Sequence, residues 1–176
     1  NNAQHLDEIF ERTNIFIGYY NLNAQPNWGF GAYHLNEYSY QIGRNFREEN
    51  TGGFAQISIP LSRFHRIETK IFSEWSERSY SVWLEDEERK DWITSLNLSY
   101  IRDAALWAST GPIDGVRANL TCGVKGNVLE NKLYNWLASA DLRYYLRVSK
   151  YSALAFRTIG RISEGPEPQR FYMGGT

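Results

Sequence analysis

No run of about 18 apolar residues occurs in the 176-residue chain, so a transmembrane helix is excluded. Cys122 is the only cysteine, and an internal disulfide is therefore impossible. The net charge of -1 leaves no general electrostatic attraction to nucleic acid. Histidine is scarce too, and His5, His34 and His65 are too scattered to ligate one metal from sequence spacing. There is no Gly-x-Ser-x-Gly, no His-Glu-x-x-His and no phosphate-cradling glycine loop. These absences argue against an enzyme and against a bound cofactor. Glu85-Asp86-Glu87-Glu88 gathers hard carboxylate oxygens of the kind a divalent cation uses, but it lacks the glycine-spaced pattern of a dedicated calcium loop and reads as a solvated outer loop.

What the chain has is alternation. From Leu133 to Ser149, Tyr134, Trp136, Ala138, Ala140, Leu142, Tyr144, Leu146 and Val148 fall on one parity. Asn135, Ser139, Asp141, Arg143, Arg147 and Ser149 fall on the other. Because successive side chains of a strand point to opposite faces, this segment is a two-faced strand. Val116, Ala118, Leu120, Cys122 and Val124 likewise oppose Arg117, Asn119, Thr121 and Lys125, and Cys122 reads as an inert small hydrophobe on the apolar side. Trp92, Thr94, Leu96, Leu98 and Tyr100 oppose Ser95, Asn97, Ser99 and Asp103. Ile67, Thr69, Ile71 and Trp75 oppose Arg66, Glu68, Lys70 and Glu74, and Leu154, Phe156 and Ile162 oppose Arg157 and Arg161. Two earlier segments, 14–22 and 28–36, are strand-like but apolar or glycine-bearing on both parities, so their faces stay unassigned.

The fold class predicted is all-β, an antiparallel up-and-down barrel, with eight strands near 13–22, 27–36, 51–60, 64–76, 91–103, 115–126, 133–148 and 152–163. Connections are expected to alternate between short (23–26, 60–63, 150) and long (37–50, 77–90, 163 onward), as in a membrane barrel. The connections 104–114 and 127–132 depart from that rule. The division expected is a lead-in or linker over 1–12, barrel strands over 13–163, and the start of a long inward-folding loop over 164–176. The first residue is Asn1, not Met, and the chain stops after Gly174-Gly175-Thr176, which predicts a truncated barrel.

Alternation alone does not say which face is outside. In a soluble ligand- or carbohydrate-binding barrel the apolar parity would point inward. Length favours the membrane reading: Leu133 to Ser149 would rise about 40 Å at a tilt near 40°, beyond an apolar band of about 25 Å. Energy then fixes the facing, since Arg143 or Arg147 turned toward lipid would each cost up to about 2–4 kcal/mol near the midplane. The expected lipid-facing set is therefore Trp92, Leu98, Tyr100, Trp136, Leu142, Tyr144 and Phe156, and the lumen-facing set Lys125, Asp141, Arg143, Arg147, Arg157 and Arg161. Aromatics at 15%, with 12 Tyr and 6 Trp, suit membrane interfaces but also occur in soluble β proteins. The lumen charges could hold an internal loop, polarise a pore, or simply cross-pair in a wet interior.

Three passages carry a family resemblance. Ile59-Pro60-Leu61-Ser62-Arg63-Phe64 is a strand-ending turn in which Pro60 removes a ladder donor. Tyr100-Ile101-Arg102-Asp103 leads through Trp107 to Gly111-Pro112-Ile113-Asp114-Gly115-Val116-Arg117. Phe171-Tyr172-Met173-Gly174-Gly175 closes the chain. In this order they resemble the barrel domain of the bacterial surface-antigen family, the BamA- and TamA-type outer-membrane proteins, including members fused to TolB-like propellers. The resemblance implies a turn motif of Asp103, Gly111, Pro112, Gly115 and Arg117. It also implies a loop motif of Phe171, Tyr172, Gly174 and Gly175 that leads into an inward-folded loop. It further implies a place in the bacterial cell outer membrane and a role in outer-membrane protein assembly or substrate translocation. The partners implied are membrane lipid, client outer-membrane proteins or a fused periplasmic domain, and no nucleic acid. The family's sixteen strands, its Arg-Gly-aromatic element and its POTRA-like repeats are not found here, so the resemblance implies roughly half a barrel. A passive pore or structural barrel and a soluble barrel remain the alternatives.

Overall fold

The computed structural model describes residues 13–171 apart from residues 24, 42, 43, 83, 84, 110, 151 and 170; the side chains of 37–46, 78 and 80–89 are also outside the description. Expectations for the lead-in 1–12 and for Tyr172, Gly174 and Gly175 lie outside the described residues.

Eight antiparallel strands form one sheet in chain order: β1 (Ile15–Asn21), β2 (Asn27–Gln41), β3 (Arg44–Pro60), β4 (His65–Val82), β5 (Glu85–Ala108), β6 (Gly111–Asn127), β7 (Lys132–Arg147) and β8 (Ala153–Glu164). The sheet is an up-and-down meander whose edges are β1 and β8; it is not closed. The strands are long, and among the described residues only two register shifts interrupt their ladders. β5 alone has 24 residues, roughly 80 Å of extended chain.

Two expected long loops are corrected. Residues 37–50 and 77–90 continue the strands, pairing from Glu37↔Glu48 to Gln41↔Arg44 and from Glu77↔Lys90 to Val82↔Glu85. The acidic run Glu85–Glu88 therefore belongs to β5 and is not a loop. The span 104–114 is likewise mostly ladder, with β5 and β6 joined across residues 109 and 110 and a bulge between Leu106 and Trp107.

Register carries each face across the whole sheet. One row runs Phe30, Ala55, Ile71, Leu96, Val124, Trp136, and the next joins Trp28, Ile57, Thr69, Leu98, Cys122, Ala138 and Ile162. All seven expected lipid-facing residues share this apolar face, and all six expected lumen-facing residues share the other. The faces of β1 and β2 now follow as well: Ile15, Ile17, Tyr19, Trp28, Phe30 and Ala32 are on the apolar side.

Tyr134 departs from the alternation. A register shift between Lys125 and Gly126 pairs Asn135 with Lys125 and Leu133 with Gly126, leaving Tyr134 as the extra residue of a β-bulge. Its hydroxyl donates to Asp91 on the polar side and the ring is almost wholly buried.

Burial is inverted relative to a water-soluble domain. The buried apolar side chains are Tyr33, Phe54, Tyr134 and Tyr145, all on the polar face or turned to it by the bulge. Leu98 and Leu142, on the apolar face, are 47% and 45% exposed. Glycine makes the polar-face burial possible at β2. A Cβ at Gly31 would stand 2.5 Å from Phe54 Cε1 and 2.4 Å from Ile17 O, so only a bare backbone lets the Phe54 ring lie there.

Candidate functional site

The apolar face carries two aromatic levels. On β5, Trp92 and Tyr100 stand eight residues apart, with only Thr94, Leu96 and Leu98 between them on that face. On β7, Trp136 and Tyr144 repeat the spacing around Ala138, Ala140 and Leu142. Eight residues are roughly 26 Å along a strand, or about 20 Å of height at a tilt near 40°, close to the apolar band of a membrane barrel. Trp136 lies in the row of Leu96, four residues from Trp92, and Tyr144 lies in the row of Ala104, four residues from Tyr100. Both levels thus step by the same amount from β5 to β7, so they run parallel across the sheet.

The aromatic rings meet across strands. Trp75 faces Trp92 with centroids 6.3 Å apart, and Tyr144 faces Phe156 at 6.4 Å. The indole N–H groups find oxygen: Trp75 Nε1 donates to Glu77 Oε1 at 2.7 Å and Trp92 Nε1 to Ser73 Oγ at 3.0 Å. Between the levels the apolar face of β3 to β8 has no charged residue. Charges begin just beyond it, with Glu77 opposite Lys90 at one end and Arg102 opposite His65 at the other.

The opposite face is an ion-pair lattice. Arg117, Arg143 and Arg157 stand side by side on β6, β7 and β8, with Asp103 of β5 completing the row. Arg117 Nη2 reaches Asp103 Oδ2 at 3.1 Å, and the same guanidinium lies 5.5 Å from the centre of the Trp107 ring. Arg143 and Arg157 both grip Asp141, with Nη2 to Oδ2 distances of 2.8 and 2.7 Å and each Nε to Oδ1. Arg147 lies at the strand end, donating to the Ser149 carbonyl at 3.3 Å. Lys125 is in the row of Ser95 and Asn135. On β4, Glu68 accepts from Arg66 at 2.7 Å and lies 3.8 Å from Lys70.

The remaining turn-motif residues are backbone devices. Gly111 and Gly115 have φ of 134° and 100°, a region that L side chains avoid. A Cβ at Gly115 would stand 2.2 Å from Ala104 O. Gly111 and Pro112 pair with Ala108 and Trp107 where β6 begins.

After β8 the chain turns back onto the polar face. Gly165 has φ of 140°, letting Glu167 N donate to Tyr134 O at 2.9 Å while Asn135 Nδ2 donates to Glu167 O at 2.7 Å. Gln169 N donates to Ser163 Oγ at 2.9 Å, and Phe171 packs beneath the Arg161 guanidinium at 5.6 Å. Residues 165–169 and Phe171 are therefore held on the side of the arginines.

Sequence reasoning missed two polar-face links. Tyr33 Oη donates to Glu74 Oε2 at 2.6 Å across the bare backbone of Gly52. Asp91 receives both the Tyr134 hydroxyl and, at 2.6 Å, Asn127 Nδ2, while Asn127 Oδ1 accepts from the 129 and 130 amides of the turn. The alternation of a glycine-rich strand and a bulge hides both. Among the described residues no group of three or more His, Cys, Asp or Glu is placed to hold a metal ion.

No family model matches the chain, and no curated protein matches it.

Proposed function

We propose that this chain is part of the wall of an outer-membrane β-barrel, with its apolar face toward lipid and its arginine face toward an aqueous interior. The observation that carries the reading is the exposed, charge-free band bounded by two parallel aromatic levels. Burying that band in hydrocarbon removes about 25 cal/mol of free energy per Å² of apolar surface taken from water. In water the same face would be an exposed apolar patch far larger than monomeric proteins tolerate. A soluble barrel would need the apolar parity packed inward, and this sheet buries tyrosine and phenylalanine on its polar side instead.

The finer assignment follows the surface-antigen resemblance: a barrel of BamA/TamA type that assists insertion of other outer-membrane proteins or passes substrates across the membrane, without covalent catalysis. The turning of residues 165–169 onto the arginine face supports it, because in a closed barrel that face would line the lumen and the Phe171-Tyr172-Met173-Gly174-Gly175 motif follows closely in the sequence. The test is reconstitution of the full protein in lipid vesicles. Acceleration of the folding of a urea-denatured outer-membrane protein over empty vesicles is the result expected. Ion conductance without acceleration would make the protein a passive pore, and recovery in the aqueous phase without detergent would make it a soluble barrel.

A further inference from the structure

Arg102 is a cation on the apolar face that stands outside the ion-pair lattice among the described residues. It follows Tyr100 by one step on that face, just beyond the aromatic level at the end where residues 61–64 make a short turn. Its direct neighbours are His65 on β4 and Ala118 on β6. Asp103, next in the chain, points the other way and pairs with Arg117. Among the described residues Arg102 is exposed and forms no ion pair. Beside it, His65 Nδ1 and Tyr100 Oη share a 2.5 Å hydrogen bond with rings 5.8 Å apart. With the tyrosine as donor, the histidine carries its hydrogen on Nε2, leaving an N–H donor on the residue paired with Arg102. Leu61 and Phe64 of the neighbouring turn are exposed apolar side chains, and Arg63 between them is exposed as well.

From these positions we infer that Arg102, with His65 and Tyr100, is a binding site for the phosphate of an anionic lipid headgroup in the leaflet at the short-turn end. The inference rests on the proposed membrane wall. Guanidinium matches phosphate oxygens in a bidentate fork, and a cation beside an interfacial aromatic sits at headgroup depth. The place of Arg102 one step beyond the Tyr100 level is where a bound lipid, unlike free phosphate in water, holds its phosphate next to the apolar band.

The test is electron paramagnetic resonance of the full chain in phosphatidylcholine vesicles that contain spin-labelled phosphatidylglycerol or spin-labelled phosphatidylcholine. One basic side chain near a membrane surface favours an anionic lipid roughly fivefold. The wild-type chain should immobilise phosphatidylglycerol over phosphatidylcholine by about that factor. Arg102→Gln should bring the ratio near one and Arg102→Lys should keep part of it. Immobilised phosphatidylcholine in every variant reports that the wall is intact. A wild-type ratio near one, or a ratio unchanged in Arg102→Gln, overturns the site and leaves the membrane wall standing. Abolition of the preference by added inorganic phosphate would assign the site to free phosphate and overturn the lipid. Immobilisation of neither lipid by any variant would remove the wall and the site together.

Discussion

Arg143 and Arg157 stand directly opposite each other on β7 and β8, and both close on the same carboxylate, Asp141. Like charges in direct cross-strand pairing repel, and Arg117 on β6 extends the row to three. Asp141 is thus the ion that lets the row exist.

Asp141→Asn should therefore cost more than one exposed ion pair, about 1–2 kcal/mol at low salt. The loss should shrink as salt rises, because screening relieves the repulsion between the remaining guanidiniums. Reversible denaturant unfolding in detergent at two ionic strengths measures it. A salt-independent loss would mean that the row is not the source.

How much of this was legible in the sequence follows from where the two faces of the sheet differ in character. Between the aromatic levels the two parities carry opposite chemistries, and the faces of Trp92, Leu98, Leu142, Arg143 and Arg157 can be read from alternation alone. Residues 37–50 and 77–90 are mostly polar or charged on both parities of the sequence, so their period of two is weak and they look like loops. In β1 and β2 the signal is erased from the other direction. Gly18, Gly29 and Gly31 occupy the polar face there, and the Phe54 and Tyr20 rings that cover Gly31 and Gly29 add apolar residues to the polar parity. Tyr134 was misread because one inserted residue flips the parity of its neighbours. The contact of Phe171 with Arg161 joins residues across a turn and has no periodic signature at all.

Cys122 offers a direct probe without mutagenesis. It is exposed on the apolar face opposite Leu98 and Ala138. A nitroxide attached there in vesicles should be relaxed more by oxygen, which concentrates in hydrocarbon, than by a water-soluble nickel chelate. Moving the label to Thr121→Cys in a Cys122→Ser background should reverse the order. Equal responses at both positions would contradict the facing of β6.

Asn135 fixes the chain that follows β8. Its side chain is buried and its amide donates to Glu167 O. Asn135→Ala should loosen segment 165–171, losing about 1 kcal/mol of local stability. The Glu167 amide, held on Tyr134 O, should then exchange its hydrogen roughly fivefold faster, while amides in the middle of β7 keep their rates. Unchanged exchange at Glu167 would show that Gly165 and Ser163 hold the segment without Asn135.

Leu142 and Arg143 are chain neighbours on opposite faces of the sheet, so a swap of character separates the two faces within one strand. Leu142 is flanked by Ala118 and Thr158 and lies one step inside the Tyr144 level. Leu142→Arg puts a guanidinium into the band, at a cost of about 2–4 kcal/mol at the midplane and less near the interface. Arg143→Leu removes one of two arginines from Asp141 but relieves its repulsion with Arg117 and Arg157, so its cost should stay at or below about 1 kcal/mol. The measurement is folding into lipid vesicles, followed by the heat-modifiable electrophoretic shift of a folded barrel and by denaturant unfolding. Leu142→Arg should fold poorly or unfold at lower denaturant, and Arg143→Leu should fold as the parent does. If both substitutions were tolerated equally, the two faces of β7 would be meeting the same solvent, and no lipid could lie against the side that bears Trp136 and Tyr144.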